Sequence, residues 1–342
     1  MTTVRAVVAH GAGDLRVERR PAPEPGPGEV AVAVRYGGIC GSDLHYWRHG
    51  AVGDFRLREP LVLGHEVVGA IRSAGPGVGG VEPGTPVAVH PATPCGRCAP
   101  CRSGTPNICT DTRYLGSAAR YPHVPGGFTD LLVVPAGQVS TLPGGLDLRL
   151  AALAEPAAVA WHAVRRAGDV RGARVLVTGA GPIGCLVVAA ARAAGAAEVV
   201  ATDLYEQPLA VARAVGATAT VPADALDVRD VDVAVEASGS AAGLDTCLSR
   251  VRPGGQVVTL GMQAPGPSPA AVNTIISREL RVSGSFRFGG ELSEVVAALA
   301  SGVLPVDPVV TTVRPADAAV EAFALAADPT RSCKVLLDFA PS

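Results

Sequence analysis

The sequence predicts an α/β protein in which a doubly wound parallel sheet is inserted into an antiparallel, barrel-like domain. Three observations carry that expectation: a change of texture near residue 151, a glycine fingerprint at 179–184, and a tail too short to fold alone. At 342 residues the chain exceeds what one core usually fills, so two domains are expected.

From Thr3 to about Leu142, short apolar runs of strand character, such as 30–34 and 61–71, alternate with Pro- and Gly-rich turns. Beyond about Ala151, strands alternate with Ala-rich helical stretches, the pattern of a parallel sheet with crossover helices. Strands are expected there at 174–178, 198–203, 232–236, 256–260 and 280–284. The tail from about Arg287 returns to a helix at 291–300 and a final strand at 333–339. It is assigned to the first domain, giving 1–150 plus 287–342 for the barrel and 151–286 for the parallel sheet.

A hydrophobic fraction of 48% against 18% charged residues describes a globular chain with a sizeable core. A net charge of -2, without a basic stripe or acidic tail, speaks against a nucleic-acid partner and for a small-molecule one. The first eleven residues lack an apolar signal core, and the longest apolar stretch, 183–202, is interrupted by Arg192 and Glu198. Neither secretion nor a membrane span is expected, and the cytoplasm is the expected location. Lys334 is the only lysine, which reads as a base-composition bias toward arginine.

Gly179, Ala180, Gly181, Pro182, Ile183 and Gly184 follow an apolar strand and open a helix. In that context the glycines let the backbone approach a pyrophosphate and the helix N-terminus stabilise it, as in the Rossmann arrangement. Asp203 ends the next strand, 24 residues after Gly179, where a carboxylate can hold ribose hydroxyls. No arginine or lysine stands in 204–208 to receive a 2′-phosphate, so NAD is expected over NADP.

Four of the eight cysteines, Cys95, Cys98, Cys101 and Cys109, crowd into fifteen residues. Four thiolates on one loop can close a tetrahedral zinc shell and exclude water, which makes a structural site in a lobe at about 91–111. Four cysteines also suit an iron–sulfur cluster, and disulfides less well; ligand type and compartment favour zinc. A second, dispersed set comprises Cys40, His65 and Glu66. Three protein groups of mixed type leave the open position a catalytic zinc requires, although spacing alone does not show that they converge.

The order of these motifs resembles the zinc-containing medium-chain dehydrogenases over essentially the whole chain: 38–43 around Cys40, 64–66, the four-cysteine lobe, then the fingerprint. The stretches 41–47 and 50–55 look like the sorbitol, xylitol and idonate dehydrogenase branch. Those at 116–118, 122–128 and 284–288 look closest to the L-idonate 5-dehydrogenases. The resemblance implies a GroES-like barrel domain carrying a Rossmann domain, two zinc ions per chain and NAD. It implies oxidation of a polyol or aldonate hydroxyl, with L-idonate to 5-keto-D-gluconate foremost. Sorbitol or xylitol, a threonine-type substrate, or a non-catalytic NAD-binding role are the alternatives.

The same resemblance assigns roles. Cys40, His65 and Glu66 look like the catalytic zinc ligands, and Glu155 holds the zinc-bound water or exchanges with it. Asp43 accepts the spare ring N–H of His65. Ser42 receives the alcohol proton and passes it through the coenzyme ribose to His45. Phe286 joins the fingerprint at the coenzyme. Tyr46, Phe55, Arg287 and Phe288 line the substrate pocket. Independently of the resemblance, an aldonate carboxylate calls for a bidentate arginine, and Arg113, Arg120 and Arg287 are the candidates. The resemblance also implies a homodimer or homotetramer, for which a strand such as 256–260, near a sheet edge, would pair across a two-fold axis.

Overall fold

The computed structural model describes residues 2–340 and distributes them around two large sheets. In the first, Glu29–Gly38 is the organising strand. It pairs antiparallel with Glu66–Ala74, with Leu131–Pro135 and, at its C-terminal end, with Lys334–Asp338. Pro86–Val89 and Val139–Thr141 extend one edge, and Val310–Pro315 the other. Val30, Val32, Leu63, Val67, Phe128, Phe323 and Leu337 share the core of this unit. The apolar run expected at 61–71 is two strands, Leu61–Val62 and Glu66–Ala74, separated by Gly64. Gly64 adopts φ 95, and an added Cβ would lie 2.1 Å from the Phe128 ring. Only glycine makes this turn, and the turn presents His65 and Glu66.

The second sheet is parallel and six-stranded, in the order Ala219–Pro222, Glu198–Asp203, Arg174–Thr178, Val231–Glu236, Val251–Thr259 and Arg281–Gly284. The chain winds outward from Arg174–Thr178, then crosses back to start again beside it. This topological switch opens a crevice at the C-terminal ends of the two central strands, where ligands of such sheets bind. The fingerprint sits there: the helix Pro182–Ala193 begins immediately after Gly181. A Cβ on Gly179 would meet the backbone of Ser238 at 2.6 Å, and one on Gly184 would meet the Gly179 carbonyl at 1.9 Å. Both glycines are therefore required by close packing around the crevice.

The strand 256–260, expected near an edge, lies inside the sheet: Val251–Thr259 is flanked by Val231–Glu236 and Arg281–Gly284. The edge belongs to Arg281–Gly284. The tail also distributes itself between the two units. Its helix Leu292–Ala300 packs on Ala154–Ala167 in the core of the parallel-sheet unit, because Leu292, Val295 and Val296 form one apolar face against that helix. From Ala316 onward it joins the barrel core. Among the described residues, no helix is long and apolar enough to cross a membrane.

Candidate active site

The site is built where the turn at Gly64 meets the helix Gly41–His49. That helix starts at Cys40, whose extended backbone serves as N-cap. Asp43 accepts the Cys40 N–H through Oδ2 at 3.0 Å and the Gly64 N–H through Oδ1 at 3.1 Å. One buried carboxylate thus ties together the segments bearing Cys40 and His65. The expected bond from His65 to Asp43 is not formed: Nδ1 and Oδ1 are 3.9 Å apart, too far for a hydrogen bond. Asp43 is occupied by the two backbone donors instead, and orients the segments bearing Cys40 and His65 through their main chains.

Cys40, His65 and Glu66 converge, with their ligating atoms within 4.8 Å of one another. Glu66 is completely buried, and its neighbour is one the sequence argument missed. Lys334 Nζ donates to both Glu66 oxygens, at 2.7 and 2.8 Å, and to the Ile39 carbonyl at 3.0 Å. Glu66 is therefore a buried carboxylate whose charge Lys334 neutralises. A Cβ on Gly38 would fall 2.1 Å from Glu66 Oε2, so that glycine makes room for the carboxylate. The signal was present in the sequence as a solitary lysine in an arginine-rich chain.

Glu155, in the first turn of Ala154–Ala167, stands beside this cluster and accepts the Tyr114 hydroxyl at 3.1 Å. Burial pushes its carboxyl up to about 7, with Glu66 adding to the effect and His65 opposing it. For His65, burial works against the charge, but Cys40 and Asp43 outweigh it and hold the imidazole up to about 10. Four buried or half-buried acidic groups, Cys40, Asp43, Glu66 and Glu155, thus share the cations His65 and Lys334. A divalent cation would displace the His65 proton and answer the remaining negative charge. Sulfur, imidazole and carboxylate donors together suit zinc.

The second cluster is the lobe. The Cys95, Cys98, Cys101 and Cys109 sulfurs lie within 4.8 Å of one another, with Cys98 3.4 Å from Cys101 and 3.7 Å from Cys109. A tetrahedron of zinc–sulfur bonds has edges of about 3.8 Å, so the spacing fits. Backbone N–H groups of Cys95 and Asp111 donate to Cys109, at 3.3 and 3.4 Å. Those of Cys101 and Thr110 hold the Cys98 thiol down to about 6, in the thiolate form a metal needs. The lobe touches the segment that follows the strand Arg281–Gly284 through Asn107 Nδ2, which donates to the Phe286 carbonyl at 3.0 Å.

At the crevice, the helix after Gly181 has no side-chain cap, leaving its first-turn N–H groups available to a phosphate. Asp203 Oδ2 accepts the Ala180 N–H at 2.7 Å and Oδ1 the Tyr205 N–H at 3.1 Å, which fixes the carboxylate at the strand tip. Its remaining lone pairs are open to hydroxyl donors. Ser42 lies in the first turn of Gly41–His49, and His45 is exposed one turn later, its ring 5.8 Å from that of His49. Burial lowers the His45 pKa, with His49 and Arg48 adding to the effect.

The substrate candidates separate. Tyr46 is buried, and its hydroxyl accepts the Ala118 N–H at 2.9 Å. Arg287 is half-buried over Tyr114, its guanidinium carbon 4.1 Å from the ring centre. Phe288 is a core residue rather than a pocket wall: it is 2% exposed, packed with Leu292 and against the His90 ring. Phe55 is exposed on a short hairpin that pairs Ala51–Val52 with Phe55–Arg56. Arg113 is exposed and lines a separate cavity of about 410 Å³ beneath Val4 and Leu131, because the short strand Arg113–Tyr114 sends its two side chains to opposite faces. Arg120 is engaged by Asp111 and by the Thr112 carbonyl. Of the three arginines, Arg287 alone is unpaired among the described residues and packed on Tyr114, whose ring neighbours His65.

Comparison with known proteins follows the same division. Residues 26–144 match the alcohol dehydrogenase GroES-like domain, and 182–301 match the zinc-binding dehydrogenase family. The chain is 39% identical to the L-idonate 5-dehydrogenase (NAD(P)(+)) of Escherichia coli K12, over 90% of this chain and 91% of that one. It is 35% identical to a Bacillus subtilis sorbitol dehydrogenase, over 90% and 89%. The crystal structure of the E. coli L-idonate enzyme superposes with a TM-score of 0.93 at 37% identity, covering 98% of both chains. The chain therefore belongs to the zinc-containing medium-chain dehydrogenases, in their polyol dehydrogenase branch, and is an NAD(P)-dependent oxidoreductase of CH–OH groups.

Proposed function

We propose that the chain oxidises L-idonate at C5 to 5-keto-D-gluconate with NAD, in the cytoplasm, using two zinc ions. Domain 1–150 plus 287–342 would carry the metals and 151–286 the coenzyme. The observation that carries the aldonate reading is Arg287, a half-buried cation next to Tyr114 on which Glu155 acts only through space. A substrate carboxylate would complete its pairing. The 39% identity to the E. coli idonate enzyme supports the same choice.

Cys40, His65 and Glu66 would hold the catalytic zinc, with Glu155 as an exchanging neighbour, and Cys95, Cys98, Cys101 and Cys109 the structural one. Zinc supplies Lewis acidity to an alcohol and NAD the acceptor for a hydride. Lys334, which donates to both Glu66 oxygens, would hold that carboxylate in place and balance part of its charge. Ser42 Oγ takes the proton of the reacting hydroxyl, and His45 releases it to solvent. Tyr46 closes the inner wall, while Phe286 and Gly179 to Gly184 bound the coenzyme crevice. Asp203, with no cation in 204–208, favours the ribose hydroxyls of NAD over a 2′-phosphate.

Two copies would pair through Arg281–Gly284, one of the two edges of the parallel sheet, where Val282 is 42% exposed and Val272 and Ile276 of the helix Val272–Ser277 are 57% and 68% exposed. The test of the function is turnover of L-idonate, sorbitol, xylitol, L-threonine and ethanol, each with NAD and NADP. The reading expects the highest kcat/KM for L-idonate with NAD; a higher value for a neutral polyol would sink the aldonate assignment.

A further inference from the structure

Arg287 has an unusual set of neighbours. Two aromatic faces hold its guanidinium, Tyr114 at 4.1 Å and Phe286 at 4.7 Å, with no carboxylate in ion-pair contact among the described residues. Its backbone is left-handed, φ 54, a region that residues other than glycine enter sparingly and usually at functional sites. The two ring faces thus offset part of the cost of taking this cation out of water.

Tyr114 faces two ways. Its ring carries Arg287 and tilts against His65, with centroids 5.5 Å apart, while its hydroxyl donates to Glu155 Oε1 at 3.1 Å. One side chain therefore bridges the free cation and the carboxylate beside the ligand cluster. An aldonate has the matching polarity, with a carboxylate at one end and the reacting hydroxyl toward the other.

We infer that Tyr114 is a specificity-determining residue that presents Arg287 to a substrate carboxylate while its hydroxyl fixes Glu155 beside the reacting carbon. The inference rests on the aldonate reading above. Leucine at 114 removes the aromatic face, whereas phenylalanine keeps the face and removes only the hydroxyl. The two functions are separable.

The experiment titrates L-idonate and sorbitol calorimetrically into zinc-loaded enzyme without coenzyme, where no turnover occurs, and then measures kcat/KM with NAD. Wild type should bind idonate more tightly than sorbitol. Tyr114→Leu should cut that preference about tenfold, the size of a cation–π contact in a partly desolvated site. Tyr114→Phe should restore the preference while lowering kcat on both substrates alike. If Arg287→Met removes the preference but Tyr114→Leu retains it, the aldonate reading stands and the role of Tyr114 is overturned. If wild type binds sorbitol as tightly as idonate, the aldonate reading itself is overturned. If Arg287→Met weakens NADH binding rather than idonate binding, the cation serves the coenzyme and both ideas fall.

Discussion

The four-cysteine lobe and the Cys40–His65–Glu66 cluster present metal-capable groups in opposite ways. The lobe takes its ligands from one loop of fifteen residues, has little core of its own and answers its sulfurs with local backbone N–H groups. The other cluster draws on a helix cap, a glycine turn and a C-terminal strand, and sits deep in the protein with Lys334 as counter-charge. A local site needs only sequence spacing and a metal, whereas a dispersed site is as accurate as the fold that assembles it. Changes in the lobe should therefore act on stability, and changes in the cluster on chemistry.

The largest expected break of this contrast is His65→Ala. It should lower kcat about a thousandfold, several kcal/mol of barrier, while the lobe keeps its zinc. Stopped-flow NADH formation and metal analysis of the same preparation measure both.

Lys334→Met comes next. It strands a buried Glu66 carboxylate, for which a destabilisation of about 3–5 kcal/mol is expected. Chemical denaturation reads this directly, and Lys334→Met combined with Glu66→Gln should recover much of the loss. Lack of recovery would show that Lys334 packs rather than neutralises.

A smaller effect is expected at Asp203. Asp203→Ala should reduce the NAD over NADP preference about tenfold or more, through loss of the ribose acceptor, with kcat at saturating NAD little changed. An unchanged coenzyme ratio would remove Asp203 from the account.

The smallest effect is a pH shift. Burial and the neighbours His49 and Arg48 lower the His45 pKa from 6.5, so its neutral, proton-accepting form persists below that pH. The acidic limb of kcat/KM should then lie below pH 6.5, and His45→Gln should slow turnover a few-fold near neutrality. Arg48→Gln should move the limb upward, since it removes one of the charges that depress the imidazole. A limb unmoved by either variant would exclude His45 from proton release.

Local features were legible in the sequence for physical reasons. The fingerprint is a strand, a turn and a helix N-terminus within a few residues, and the lobe is a spacing of cysteines. Much of the strand pattern was legible too, but apolar character runs on through the break at Gly64, where only a positive φ reveals the turn, and the edge strand Ala219–Pro222, too short and exposed to show an apolar run, was not expected. What was not legible depends on distant partners. Lys334 meets Glu66 across 268 positions. Arg113 was a candidate for the substrate carboxylate, but it is the neighbouring Tyr114 that faces the cluster and Arg113 that turns away. Phe288 carried a pocket motif, yet the apolar face of the following helix draws it into the core. Asp43 carries an expected link to His65, but two backbone donors reach its oxygens first.

The most direct measurement is zinc per folded chain together with L-idonate-dependent NADH formation, in Cys40→Ser and Cys98→Ser side by side. With wild type expected at two zinc ions, each variant should retain about one. Cys98→Ser should melt earlier yet still form NADH per folded molecule, and Cys40→Ser should melt normally and form none. A Cys40→Ser variant that keeps both metals and turns over L-idonate would contradict the division of labour between the two sites.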